Sequence, residues 1–342
     1  MSHLNTPLYS CLPSQGKSEV TGVELVIKSI EFAGPERIPI WNEINKGESD
    51  VILVGSAPQY WKWEEANGRI EECIDEFGCK RKRVKGDTGI GQPAEPVIND
   101  WNDLLSYKIP VINAYEARTK EEVCKNGDAK YVLGDLGLLL WAVFNLRGMT
   151  AVFEDLYLHR IELVKLLKKI SAFKNDIIDM YARIGGVHGL ICFDDWGTQT
   201  SLLINPSVWR DVFKPFYREI FHEVKRYNMH VWMHSCGYVH EIIPDLIEIG
   251  VQVLNFNQPR LLGIEKLGKD FGGRVSFLCQ VDEQVTIPLN DARLIEEEIR
   301  LLIDTLGCYK GGFIGYVNQG EGVHPSSAQL SNELFRKWGK LC

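Results

Sequence analysis

From about residue 128 onward, short apolar segments alternate with longer segments whose apolar positions recur every three to four residues. The longest periodic segment, His159–Ile184, predicts a helix that Gly185 ends as a C-terminal stop. Gly189–Phe193 follows as a buried strand. The next helix begins at Asn205-Pro206, and we expect Pro215 to kink it because proline has no amide hydrogen to donate.

The alternation then repeats to the end of the chain. Four further strands are predicted, each followed by a helical segment: 230–234, 251–256, 274–279 and 312–316. At least five strand–helix units in succession favour a parallel barrel over a doubly wound sheet, and no G-x-G-x-x-G turn is present. The predicted fold class is therefore α/β, a single (β/α)8 TIM barrel with an N-terminal elaboration.

The first 125 residues are less regular. A helix is predicted over 18–32, and Ile38–Trp41 and Val51–Val54 predict strands. Residues 72–100 are charged and rich in glycine, which indicates an excursion loop with a hairpin. We therefore predict one domain over residues 1–342, with an N-terminal extension and helix over 1–36.

Composition narrows the class of protein. The 342 residues are 45% hydrophobic and 25% charged, as in ordinary globular proteins, and the net charge is −8. That charge argues against a nucleic-acid partner or an anionic membrane surface, and no apolar run is long enough for a membrane helix. The start of the chain has no secretory pattern, so nine cysteines predict a reducing, cytoplasmic location. Homo-oligomerisation is left open.

Residues with metal-binding chemistry follow the predicted strands. Barrel enzymes carry their catalytic groups at the carboxyl ends of the strands. His234 and Cys236 end one strand, and Cys279 ends another. Imidazole and thiolate are ligands that Zn²⁺ prefers, so these three predict a zinc site. The other seven cysteines are predicted to be inert.

Other strand-end residues could complete the site. The fourth ligand could be Glu321 on the last loop, or Asp194 or Asp195; of the two aspartates we favour Asp195, with a role toward the substrate or a zinc-bound water. Each residue also admits a plain structural role. Further candidates, for contact with the substrate, are Trp196, Tyr60, Trp61, Asn255 and Gln258.

At these residues the chain resembles the uroporphyrinogen decarboxylase superfamily. The resemblance extends over nearly the whole chain from about Val20. The stretches that carry it are His234-Ser-Cys-Gly237 through Asn255, Arg37-Ile-Pro-Ile-Trp41, Leu146-Arg-Gly148 and Gly311-Gly-Phe-Ile314. The resemblance implies a single (β/α)8 barrel with its site at the carboxyl-terminal mouth. The superfamily contains decarboxylases and cobalamin-dependent methyltransferases.

Two departures favour the methyltransferase branch. Decarboxylases of the superfamily carry porphyrinogen-binding arginines after the Arg-x-Pro-x-Trp element, whereas this chain has Asn42-Glu43 there. The decarboxylases also lack His-x-Cys-Gly, which the methyltransferases use for zinc. Where methyltransferases that act on coenzyme M carry Gly-Cys-Gly, this chain has Gly320-Glu321-Gly322, which puts a thiol acceptor in doubt.

The resemblance therefore implies a zinc-dependent methyltransferase. It would move a methyl group from a small methylated donor, such as a methoxy-aromatic compound, to the cobalamin of a separate corrinoid protein. Asp195 or Glu43 would protonate or hydrogen-bond the leaving oxygen. Three alternatives remain at this point: transfer from the corrinoid to a thiol or a folate, a decarboxylase, and a non-catalytic barrel with structural zinc that binds a corrinoid protein.

Overall fold

The computed structural model describes residues 20–56, 61–87, 89–109, 113–126, 129–318 and 323–340. Twelve strands lie within these ranges: β1 Ile40–Asn42, β2 Val51–Val54, β3 Glu64–Glu65, β4 Ile70–Ile74, β5 Lys80–Val84, β6 Gln92–Glu95, β7 Tyr131–Gly137, β8 Gly189–Phe193, β9 His230–His234, β10 Val253–Phe256, β11 Ser276–Cys279 and β12 Phe313–Val317. The helices are α1 Gly22–Ile30, α2 Asp103–Ser106, α3 Asn113–Asn126, α4 Leu140–Arg147, α5 Met149–Leu158, α6 Arg160–Ile184, α7 Pro206–Val212, α8 Lys214–Arg226, α9 Ile243–Glu248, α10 Pro259–Leu262, α11 Ile264–Phe271, α12 Ala292–Leu306 and α13 Pro325–Trp338.

Eight of the strands form one parallel sheet in the order β1-β12-β11-β10-β9-β8-β7-β2. The first strand therefore pairs with the last, as a barrel requires. The two edge strands, β1 and β2, meet at one hydrogen bond, in which the amide of Asp50, just before β2, donates to the Ile40 carbonyl of β1 at 2.8 Å. Helices follow the strands on the outside, so the predicted single (β/α)8 barrel is confirmed.

Side chains on each barrel strand alternate between two apolar clusters. Trp41, Tyr131, Trp232 and Leu278 belong to the cluster that fills the barrel, whereas their strand neighbours pack under the helices. Successive residues of a strand point to opposite faces, so each strand of a covered barrel is buried on both sides. This alternation decides which strand-end residues reach the mouth.

The helical boundaries follow the sequence signals closely. α6 extends to Ile184 and ends at Gly185, whose φ is 72°. The helix predicted to kink near Pro215 is divided at Phe213 into α7 and α8. Proline has no amide hydrogen, so it fits the first turn of a helix but disrupts a helix interior. This explains why a new helix begins just before Pro215.

A small antiparallel sheet, β3-β4-β5-β6, interrupts the barrel between its second and third strands. The sequence predicted an excursion over 72–100; the sheet begins earlier, at Glu64. Arg81 and Arg83 of β5 lie over the rings of Trp61 and Trp63, at 5.0 and 4.0 Å from the ring centroids. We call residues 61–95 the cap sheet, because several of them line a cavity together with residues of the barrel mouth.

None of the helices in the described ranges combines the length and the apolar character that crossing a membrane requires.

Candidate functional site

Three side chains with metal-binding atoms meet at the mouth of the barrel. His234 ends β9, Cys236 lies two residues later, and Asp195 follows β8. The Nε2 atom of His234 lies 3.3 Å from Cys236 Sγ and 3.4 Å from Asp195 Oδ1. All three ligand atoms lie within 4.8 Å of one another. We call Asp195, His234 and Cys236 the triad.

Two glycines allow the loops that carry the triad to approach each other. A Cβ atom on Gly197 would lie 2.4 Å from the Gly237 carbonyl carbon, and one on Gly237 would lie 2.3 Å from the Gly197 carbonyl carbon. Gly237 also has a φ of 78°, which L side chains rarely adopt. The contact is locked by the Gly197 amide, which donates to the Cys236 carbonyl at 3.1 Å. These two glycines therefore set the separation of Asp195 from Cys236.

Asn255 on the neighbouring strand fixes the orientation of the His234 ring. Its amide nitrogen donates to the Leu278 carbonyl at 3.0 Å, so its oxygen must face His234 Nδ1, 2.6 Å away. An amide oxygen only accepts, and Nδ1 therefore carries the proton. Nε2 is then directed toward Cys236 and Asp195 and can exchange its proton for a metal ion there, as in metal sites whose histidines are held by a second residue.

The electrostatics of the triad are strongly coupled. Burial would lower the pKa of His234, but hydrogen bonds and charge from Asp195 and Cys236 outweigh it and raise the pKa well above its usual value. Burial would likewise raise the pKa of Asp195, yet His234 and the Cys236 amide bring it below the usual value. A cation at this position is therefore favoured, whether it is a proton on His234 or a metal ion.

The triad fits a zinc ion in its atoms and its spacing. Ligands of tetrahedral zinc, bound at about 2.0–2.3 Å, lie roughly 3.3–3.8 Å apart. The two distances to His234 Nε2 are 3.3 and 3.4 Å. Imidazole nitrogen, thiolate sulfur and carboxylate oxygen are all ordinary zinc ligands, and the Asn255 contact supplies the usual support of the histidine. Three protein ligands leave one position of a tetrahedral ion for a substrate or water.

A cavity of about 490 Å³ opens beside the triad, and Asp195 and His234 line it. This volume suits a small organic molecule. Most of its wall is apolar and comes from the barrel, from α4 and α6, and from the cap sheet. The aromatic members of the wall are Trp61, Phe77, Trp141, Phe173, Tyr181 and Phe193.

Sequence reasoning missed the charged groups of this cavity, among them Lys174, Glu76, Arg81 and Asp135. Lys174 is only 3% exposed. A signal existed in the sequence: Lys174 stands four residues from both Ile170 and Ile178, within the apolar stripe of a helix. A lysine in such a stripe must find a polar partner or a polar cavity.

Glu43, a predicted catalytic residue, lies near the triad but outside the cavity wall. Glu43 is an exposed residue, but its carboxylate hydrogen-bonds to Tyr316 and is partly screened from water by the surrounding protein. This desolvation raises its pKa despite the nearby charges of Lys46 and His234. A carboxyl group with a raised pKa can hold a proton near neutral pH and deliver it. By this criterion Glu43 suits an acid role, whereas Asp195 suits a ligand or acceptor role.

Cys279 does not join the triad, contrary to the sequence-based expectation. Its strand neighbour Leu278 belongs to the cluster that fills the barrel, so Cys279 points outward into the helix-facing cluster. It is 0% exposed, and burial raises the pKa of its thiol far above the usual value. A thiol in that environment stays protonated and does not ligate zinc in the mouth.

Asp194 and Trp196 also have structural roles. The Asp194 carboxylate accepts from the amides of Leu139 and Leu140 at 2.9 and 3.0 Å, and so caps the start of α4. Trp196 was expected to contact the substrate, but it is fully buried under the helices and donates to the hydroxyl of Tyr217 at 3.0 Å. Its ring cannot reach the cavity.

The remaining candidates divide in three ways. Trp61 lines the cavity, as expected, and its indole donates to Glu76 at 2.8 Å. Asn255 supports His234 instead of facing a substrate, and Gln258 is buried, without a partner for its Oε1 among the described residues. Tyr60 and Glu321 lie outside the described residues.

Comparisons with known proteins agree with the barrel. The family model described as uroporphyrinogen decarboxylase (URO-D) matches residues 141–330, more than half of the chain. A search of curated protein sequences found no match. The fold is similar to that of a methyltransferase from Methanosarcina mazei, with a TM-score of 0.68 and 11% identity over 94% of this chain and 99% of that one.

Other solved barrels are more distant. A D-psicose 3-epimerase gives a TM-score of 0.41 at 10% identity, over 69% of this chain and 85% of its own. An endo-β-1,4-xylanase from Gloeophyllum trabeum gives 0.40 at 9% identity, over 67% and 83%.

Proposed function

The chain belongs to the uroporphyrinogen decarboxylase family, and on that premise we propose that it is a zinc-dependent methyltransferase of the family's corrinoid-linked branch. It would take a methyl group from a small methylated donor and pass it to the cobalt of a separate corrinoid protein. The observation that carries the proposal is the triad itself: His234, Cys236 and Asp195 at zinc spacing, with Asn255 orienting the histidine.

The reaction balances with the donor, the reduced corrinoid and one proton. The methyl–oxygen bond of a donor ether breaks, and its electron pair stays on the oxygen. The electron pair that bonds the methyl group would come from the reduced cobalt of the partner protein. A bound zinc ion would act as a Lewis acid that makes the oxygen a better leaving group. The departing oxygen also needs a proton.

The residues of this chain have separate tasks in that scheme. His234, Cys236 and Asp195 would hold the metal. Glu43, whose pKa is raised by desolvation of its carboxylate, would give the proton to the departing oxygen. The aromatic wall of the cavity would hold the apolar part of the donor and exclude water from the triad.

A decarboxylase of the porphyrinogen type is disfavoured by the charge of the cavity. Among the described residues, its wall contains the carboxyl groups of Asp75, Glu76, Asp135 and Asp195, but only Arg81 and Lys174 as fixed cations. Arg81 is already engaged by Asp75 at 3.5 Å and by the Gly91 carbonyl at 3.0 Å. A substrate with many carboxylates would be poorly matched to this site.

Metal analysis of protein purified without chelators tests the proposal. We expect about one zinc per chain. His234→Ala and Cys236→Ser should lose both the zinc and the transfer of methyl groups from a methoxy-aromatic donor to reduced cobalamin. The absorbance of the cobalamin measures this transfer. Cys308→Ser is the matched control, since Cys308 is an exposed free thiol. Methyl transfer by metal-free protein would refute the proposal.

The same samples separate a catalytic from a structural zinc. X-ray absorption should find three protein ligands and one exchangeable oxygen or donor atom. Four protein ligands, unchanged when the donor is added, would instead support a barrel that only binds the corrinoid protein.

A further inference from the structure

A second group of polar side chains faces the cavity outside the triad. Lys174 reaches it from the interior stripe of α6, and its ammonium group donates to the Leu136 carbonyl at 2.8 Å. Among the residues that the structure describes, Lys174 makes no other hydrogen bond and no salt bridge. An ammonium group has three N–H donors, so two are left to face the cavity.

The surroundings of Lys174 are shaped around its head group. Gly137 lies against it: its φ of 73° favours glycine, and a Cβ atom there would lie 2.8 Å from the Lys174 Nζ. The rings of Phe77 and Phe173 flank the ammonium at 5.9 and 5.8 Å. Burying an ammonium among apolar groups costs free energy unless a partner satisfies it. The protein supplies one acceptor of the three that the group can use.

Glu76 provides an acceptor in the same cavity. Its Oε2 accepts from the Trp61 indole at 2.8 Å, and its charge acts on Lys174. Asp135 also faces the cavity but is bound to the Gly137 amide at 2.7 Å. The subsite thus combines a donor with unused hydrogens, Lys174, and a carboxylate, Glu76.

The charge of this subsite selects against ions. Burial raises the pKa of Glu76 and of Asp135 and lowers the pKa of Lys174, so this part of the wall disfavours charge. A carboxylate ligand would also meet Glu76 and Asp135, and a cationic ligand would meet Lys174 and Arg81. A neutral hydroxyl group both donates and accepts, so it can bridge the carboxylate and the ammonium. Because the walls are largely aromatic, the matching hydroxyl is one on a flat ring.

We propose that Lys174 and Glu76 form a subsite for the hydroxyl group of a phenol, so that the donor is a methoxyphenol. This inference rests on the proposed function for the role of the methoxy group. The ring would lie between the aromatic walls, with the methoxy oxygen toward the triad. The hydroxyl would donate to Glu76 and accept from Lys174.

Calorimetric binding tests the subsite without any methyl transfer. Three probes are titrated at neutral pH, where a phenol keeps its proton: 2-methoxyphenol, methoxybenzene and 2-methoxybenzoate. We expect 2-methoxyphenol to bind at least about tenfold more tightly than either of the other two. Lys174→Met should reduce its affinity to that of methoxybenzene and leave methoxybenzene binding unchanged.

Lys168→Met is the matched control, since Lys168 is an exposed residue of the same helix. Glu76→Gln should weaken 2-methoxyphenol binding as well, and thermal unfolding checks that each variant is folded. Equal affinity for 2-methoxyphenol and methoxybenzene, no binding of any probe, or no effect of Lys174→Met would overturn the inference. Tightest binding of 2-methoxybenzoate would overturn it too, since Lys174 would then recognise a carboxylate.

The two proposals can fail separately. Binding is repeated with protein treated with a chelator, in which the hydroxyl subsite should still discriminate 2-methoxyphenol from methoxybenzene. A protein that discriminates but contains no zinc and transfers no methyl group would refute only the proposed function. A protein that holds zinc and transfers methyl groups without this discrimination would refute only the subsite.

Discussion

The Nδ1 atom of His234 lies 2.6 Å from the amide oxygen of Asn255, on the adjacent strand β10. The contact fixes both the tautomer and the plane of the imidazole ring, because the other end of the Asn255 amide is held by the Leu278 carbonyl. His234 therefore presents Nε2 to the mouth before any metal binds, which lowers the cost of assembling the site.

Removing this contact should weaken metal binding without removing a ligand. We expect Asn255→Ala to lower zinc affinity about 10–100-fold, measured by competition with a chromophoric chelator. Asn255→Asp retains an acceptor toward Nδ1 and should retain most of the affinity. Equal affinity in Asn255→Ala and the native protein would show that the ring needs no such support.

Cys279→Ala should leave the zinc content unchanged, because the thiol lies in the helix-facing cluster. The cost should appear in stability alone, at about 1 kcal/mol for a small cavity in the core. Zinc analysis beside chemical denaturation measures both quantities. A variant that loses its zinc while it stays folded would show that Cys279 is a zinc ligand.

Gly197→Ala should disturb the site through the backbone. The new Cβ would lie 2.4 Å from the Gly237 carbonyl carbon, so the two loops must separate. We expect a loss of about 1–3 kcal/mol in the free energy of unfolding, together with weaker zinc binding. Gly47→Ala is the control, since its nearest neighbour is a side-chain oxygen at 3.2 Å. Normal zinc affinity in Gly197→Ala would mean that the loops adjust independently.

Glu43→Gln should change the pH dependence of methyl transfer. Desolvation of its carboxylate raises the pKa of Glu43. A proton donor works below its pKa, so the native rate should fall as pH rises through that value. The variant should be slower by about 10²–10⁴-fold, and its rate should not show this decrease at alkaline pH. Zinc content is measured in parallel. If the rate of the variant still decreased at the same alkaline pH, another group would be the proton donor.

His230, at the amino-terminal end of β9, should make the barrel sensitive to acid. Burial lowers its pKa below that of the unfolded chain, and its Nδ1 contacts the Tyr131 hydroxyl at 2.9 Å. The unfolded state therefore binds more protons as pH falls through about 6.5, and stability decreases. His230→Gln should reduce this loss between pH 7.5 and 5.5, whereas the exposed His222→Gln should not. Parallel curves for native protein and His230→Gln would contradict the assignment.

The alternation of strands and helices along the chain was enough to predict the barrel. Its last five strands were found at or within two residues of their predicted positions, because each is a short apolar run between clear helix boundaries. His234 and Cys236 were predictable for the same reason, since they stand at the end of a strand whose end must face the mouth.

The face to which each strand residue points was not predictable. Ser276–Cys279 is buried on both sides, so its sequence carries no polar alternation that would tell Leu278 from Cys279. A shift of one residue sends a side chain from the barrel interior to the helix layer. Only the pairing of β11 with β10 and β12 decided that Cys279 lies outside.

The sequence by itself thus determined the barrel, its mouth and two of the three residues that we propose as metal ligands. The tertiary structure decided the third, Asp195, because adjacent carboxylates diverge and only packing turned Asp194 to α4. It also decided the cavity, since Lys174 and Glu76 are 98 positions apart and come together only when the cap sheet lies against α6. Local patterns record burial and periodicity; a cavity depends on contacts between segments that no local pattern contains.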